Sequence, residues 1–96
     1  MKTILIMGST FDEPHAKKIT DKLDEYNIPW EQHAASAHKQ PLKVLEILEA
    51  NKNEKDIVYV TIAGRSNALS GFVAANSKFP TIGCPPFSDK ADMLVN

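Results

Sequence analysis

Apolar positions along the chain fall into four short blocks, with amphipathic stretches between them. Residues 3–7 (Thr-Ile-Leu-Ile-Met) form a continuous apolar run, which predicts a strand buried on both faces, as in parallel sheets. Residues 30–35 alternate only in part and predict a second strand. The run 57–63 predicts a third strand and 80–84 a fourth, which Pro85 and Pro86 end firmly. Between them, Ala16, Ile19, Leu23 and Tyr26 recur at helical spacing, with Lys17, Lys18, Asp21, Lys22 and Asp24 on the other face. Asn27-Ile28-Pro29 stops that helix. Pro41 opens a second, with a broad apolar face of Leu42, Val44, Leu45, Ile47 and Leu48, and 51–56 is a charged loop. Ser66 or Asn67 caps a third through about Asn76, burying Leu69, Phe72 and Val73. The order is β-α-β-α-β-α-β, and right-handed crossovers then predict a parallel sheet with helices on both faces. Residues 88–96 begin an element that the sequence does not finish, so the last strand has no following helix to cover it.

The ends of the first three strands are where the polar chemistry collects. In open α/β sheets, ligands bind outside the carboxyl ends of the strands. Gly8-Ser9-Thr10 follows the first strand. It reads either as a phosphate seat, with backbone amides and a helix dipole facing an anion, or as a tight turn plus helix cap. It matches neither a Walker loop nor the dinucleotide glycine fingerprint. Thr10 and Glu13 have capping-box spacing, with Asp12 a competing cap. Ser36-Ala37-His38-Lys39 follows the second strand. There His38 is either a proton-transfer group or an exposed loop histidine, and Lys39 can neutralise phosphate or carboxylate as a point charge. Gly64-Arg65-Ser66-Asn67 follows the third strand and offers amides, a guanidinium, a hydroxyl and a carboxamide, or else a polar turn that caps a helix. His15, in a first helical turn, and His33, within a strand, have no such setting. Cys84 reads as a small buried hydrophobe.

Composition narrows the classes further. Ninety-six residues suggest one domain with a thin core. A formal net charge of -1 gives no electrostatic case for nucleic acid. One cysteine excludes an internal disulfide framework and fits a reducing compartment, and the run 4–7 is too short to span a bilayer and lacks a signal-peptide cleavage pattern. No set of Cys, His and carboxylates has metal-site spacing. The expectation is a cytoplasmic protein that binds neither nucleic acid nor membrane, and that holds no metal.

Taken together, Met7-Gly8-Ser9-Thr10-Phe11-Asp12, Ser36-Ala37-His38-Lys39, Ala63-Gly64-Arg65-Ser66-Asn67-Ala68-Leu69-Ser70-Gly71 and Cys84-Pro85-Pro86 resemble the PurE family, the phosphoribosylaminoimidazole carboxylases of purine biosynthesis. The resemblance covers essentially the whole chain, in order. It implies a three-layer Rossmann/flavodoxin-like fold and carboxylation of 5-aminoimidazole ribonucleotide (AIR) with CO2, giving 4-carboxy-5-aminoimidazole ribonucleotide (CAIR). Lys39 after His38, and the wording of 63–71, resemble the direct carboxylase branch. The sister branch is a mutase that moves carboxylate from the exocyclic nitrogen to carbon and usually has Arg after that histidine. A non-catalytic nucleotide-binding remnant of the fold is a third alternative, and a related carboxylase acting on a pyridinium nucleotide ranks lowest.

The roles that the resemblance implies are specific. Gly8, Ser9 and Asp12 would bind ribose-phosphate, Asp12 through sugar hydroxyls. Ser36, Ala37 and Lys39 would hold the phosphate or carboxylate region, and His38 would handle the proton at carbon 4 of the imidazole. Ala63, Gly64, Arg65, Ser66 and Asn67, with Leu69 and Ser70, would wrap the base and the CO2 site. No metal, biotin or ATP is implied, and the family forms homo-oligomers. Phe11 departs from the family's second Ser in Gly-Ser-x-Ser-Asp. Family members also continue through another strand and C-terminal helices, so 1–96 is expected to be one PurE-like domain lacking that part.

Overall fold

A computed structural model describes residues 1–63 and 68–85. The elements run β1 (Lys2–Met7), a 3-10 turn (Thr10–Asp12), α1 (Glu13–Glu25), β2 (Trp30–Ala34), α2 (Pro41–Asn51), β3 (Ile57–Ile62), α3 (Ala68–Asn76) and β4 (Thr81–Gly83). All pairings are parallel, in the order β2-β1-β3-β4. This is the flavodoxin-like α/β arrangement, whose order reverses between β1 and β3. The first crossover leaves β1 toward β2 and the second returns to β3, so a crevice opens above the carboxyl ends of these strands.

Alternation along the strands divides the core in two. Ile4, Ile6, Ile57 and Tyr59 point to one face and meet Val44, Ile47 and Leu48 of α2 and Leu69 and Val73 of α3. Leu5, Met7, Val60 and Ile62 point to the other and meet Ala16 of α1. Because β1 and β3 are covered on both sides, nearly every residue in them is apolar, and that continuity was the signal in the sequence. In β4, Ile82 pairs with Val60 and so lies on the α1 face, yet it is 51% exposed. Among the described residues, the α1-side core gathers on β1 and β3 and leaves Ile82 uncovered.

Strand and helix bounds agree with the sequence reading to within a residue or two. The start of α1 differs in kind. The Thr10–Glu13 capping box does not form; Ser9 caps a 3-10 turn instead, accepting from the Phe11 amide at 3.1 Å, and α1 begins only at Glu13. Asp12 caps α1 without a side-chain bond to it. Its carboxyl is therefore left for another use. Pro41 opens α2 as expected, and Asn51 closes it with a side-chain bond to the Ile47 carbonyl at 2.8 Å. The expected residues Gly64, Arg65, Ser66 and Asn67, together with Pro86 and the segment 88–96, lie outside the described residues.

Candidate active site

The first three strands end at the same edge of the sheet. After β1, Gly8 continues the ladder by donating to the Ile62 carbonyl at 2.8 Å, which sets it beside the end of β3. A Cβ added to Gly8 would lie 3.5 Å from the Ala63 Cβ, so the β1 and β3 ends are in contact there. After β2, Ala35 donates to the Met7 carbonyl at 2.7 Å, which keeps the second turn against the first. These two turns, with Ala63 at the end of β3 and the start of α3, border an open cleft of about 440 Å³ lined by Gly8, Ser9, Asp12, Ser36, Ala37, His38, Lys39, Ala63, Ala68 and Leu69.

Two serines build the walls in the same way. Ser9 Oγ accepts from the Phe11 amide at 3.1 Å. Ser36 Oγ accepts from the amides of His38 at 3.2 Å and Lys39 at 3.1 Å. A hydroxyl that accepts from its own turn still has a proton to donate. Both walls thus offer O–H donors to a ligand rich in acceptors, such as a phosphate, and both serines hold their turns in shape without one.

The charges on the two walls differ. Asp12 is half-buried, and its carboxyl is pushed above the ordinary carboxylate range, first by burial; the nearby His15 and a hydrogen bond from the Ser9 amide pull the other way. Opposite stand His38 and Lys39, both exposed. Among the described residues no carboxylate pairs with Lys39. The cleft therefore has a carboxyl on its β1 side and an imidazole with an amine on its β2 side. Leu69, only 2% exposed, forms an apolar floor continuous with the core.

Not every expected residue faces this cleft. Ser70 does not line it; a Cβ on Gly83 would sit 3.5 Å from the Ser70 Cβ, so Ser70 lies against β4. Phe11, 92% exposed, points away from the lining as well. His33 is bound to Glu31 at 2.7 Å, within a cluster that includes Lys2, and takes no part in the cleft. The Lys2 bond first, with His33 assisting, holds the Glu31 carboxyl below its usual range. Cys84 packs with the α1-side core, and burial pushes its thiol pKa up, the opposite of a reactive thiolate. Among the described residues no group of His, Cys, Asp and Glu could hold a metal ion, and no helix is long and apolar enough to cross a membrane.

Sequence reasoning missed two residues. Ala68 lines the cleft as the first residue of α3, a place readable from its position beside Leu69. His15 reaches the Cys84 carbonyl, and nothing local to His15 in the sequence signals a partner 69 residues away.

The AIR carboxylase family model matches residues 2–96. The chain belongs to the AIR carboxylase family. It is 54% identical over 90 residues to a phosphoribosylaminoimidazole carboxylase of Archaeoglobus fulgidus, covering 94% of this chain and 49% of that protein. It is 46% identical over 87 residues to the Treponema denticola protein of the same name, covering 90% of this chain and 55% of that one. The crystal structure of Treponema denticola PurE superimposes with a TM-score of 0.92 at 42% identity, over 98% of this chain and 62% of that chain. The chain thus spans about half the length of the curated relatives it matches. The cleft described above lies within that span.

Proposed function

We propose that the protein carboxylates AIR directly with CO2 to give CAIR, as a cytoplasmic, homo-oligomeric enzyme of purine biosynthesis. The observation that carries this reading is the convergence of Ser9 and Asp12, Ser36 to Lys39, and Ala63 with Leu69 on one cleft. The names of its relatives support it as well. Asp12 accepts from sugar hydroxyls, and the serine hydroxyls and Lys39 receive the phosphate and carboxylate oxygens. To Gly64, Arg65, Ser66 and Asn67 this reading assigns the contacts to the base and CO2, while Ser70, which lies against Gly83, supports the loop from behind.

The chemistry asks little of the protein. The aminoimidazole is an electron-rich enamine, so carbon 4 attacks CO2 directly. A carbon–carbon bond forms, and the electron pair of one C=O bond moves onto oxygen to give the carboxylate. The proton on carbon 4 then leaves to His38, and the ring regains its aromatic electrons. No metal, biotin or ATP enters this scheme. The protein's part is to hold CO2 against the ring, keep water out and receive the proton. Donors facing the new carboxylate supply electrostatic stabilisation.

The test is to supply AIR with bicarbonate and follow CAIR by absorbance, beside a parallel assay with the preformed N5-carbamate. Turnover from bicarbonate supports direct carboxylation. Turnover from the carbamate alone reassigns the chain to mutase chemistry. Binding of AIR without turnover in either assay reduces it to a nucleotide-binding domain.

A further inference from the structure

We infer that His15 is a positioning residue of the nucleotide site, fastening the end of β4 to the first turn of α1 while standing beside the Asp12 carboxyl. The inference rests on the nucleotide reading given above and extends it to a residue outside the cleft.

Three observations carry it. The first is the bond itself, with His15 Nε2 3.2 Å from the Cys84 carbonyl oxygen. A carbonyl only accepts, so Nε2 carries the proton in this contact. The second is what happens to Cys84: its amide donates to the Thr61 carbonyl at 2.8 Å. Both backbone groups of residue 84 are thereby engaged, one by β3 and one by α1, at the point where the chain leaves the sheet. The third is helical spacing. His15 follows Asp12 by three positions, so the two side chains project from the same side of the turn.

The surroundings show what the ring does there. Asp12 loses solvent to the cleft wall, which disfavours its charged form; the imidazole beside it favours that form. The groups around this pair are the Ser9 amide, the Cys84 carbonyl just after β4, and His38 and Lys39 on the other side of the cleft. His15 joins two tasks, a mechanical one at β4 and an electrostatic one at Asp12. A merely structural histidine would serve the first alone.

The two tasks separate with two variants. In His15→Gln, an amide N–H takes the place of Nε2–H, so the tether is kept and the ring's electrostatic influence on Asp12 is lost. His15→Ala loses both. The carboxyl carbon of Asp12 is followed by NMR titration in ligand-free protein, and AIR binding by calorimetry. Thermal melts monitor folding. We expect His15→Gln to melt close to wild type, to titrate Asp12 at higher pH, and to bind AIR about 3–10-fold more weakly. His15→Ala should add a lower melting temperature. Nitrogen spectra of wild type should report a proton on Nε2. An Asp12 titration unchanged in both variants overturns the inference, as does full restoration of AIR affinity by Gln. Failure of wild type to bind AIR overturns the nucleotide reading instead, and the ligand-free titration still decides whether His15 acts on Asp12.

Discussion

After β1 the chain turns on Ser9, and after β2 it turns on Ser36; the same hydroxyl-to-amide device shapes both. What the turns present is opposite in character. The β1 turn presents Asp12, a partly desolvated acceptor whose burial resists ionisation. The β2 turn presents His38 and Lys39 in the open. On the proposed function the difference has a purpose: an acceptor that grips a sugar is built into a wall, and a histidine that trades protons is left exposed beside a cation that meets the ligand. That reading gives sugar binding to the β1 loop, and proton transfer with anion binding to the β2 loop.

The comparison breaks most visibly at His38. His38→Asn should lower turnover by about 100-fold or more, the scale of removing a general acid–base group, with AIR affinity nearly intact. Steady-state rates beside calorimetry check this, and equal activity would remove the proton role. Asp12→Ala should do the converse, weakening AIR binding by about 1–3 kcal/mol, the worth of hydrogen bonds to a charged group. Unchanged affinity would return Asp12 to a helix-capping role.

The serines sharpen the comparison. Ser36→Ala frees two amides and Ser9→Ala frees one. At about 0.5–1.5 kcal/mol per bond, Ser36→Ala should lower stability more in urea unfolding, and should also disturb turnover by loosening His38. Ser9→Ala should act mainly on nucleotide affinity. The smallest effect concerns pH. Asp12 has a folded pKa above its ordinary 3.8, so its contribution to stability is fully present below the unfolded value and is lost as pH rises through the folded one. Asp12→Asn should therefore melt slightly higher than wild type at neutral pH and equally in acid, while binding AIR less well. A carboxylate that stabilised the fold would show the reverse.

Much of this architecture was legible because burial on both faces forces β1 and β3 to be almost wholly apolar, and the prolines at 29, 41 and 85 mark element ends. The convergence of the three turns followed from topology alone, since parallel strands end at one edge. The direction of individual side chains was less accessible. Ser70 sits one residue beyond Leu69, and the helix turns it from the cleft toward Gly83. The Thr10–Glu13 spacing suggested a cap, but Ser9 captured the Phe11 amide first and wound a 3-10 turn. The His15 bond to Cys84 depends on how α1 packs across the sheet, a long-range contact that no local pattern encodes.

The central claim is that three separate turns hold one nucleotide. Nitrogen–proton spectra recorded during titration with AIR test it most directly, through the amides of Ser9, His38 and Ala68. The account predicts that all three shift together and saturate with a single dissociation constant. Shifts confined to one turn, or three turns saturating at different concentrations, would contradict it.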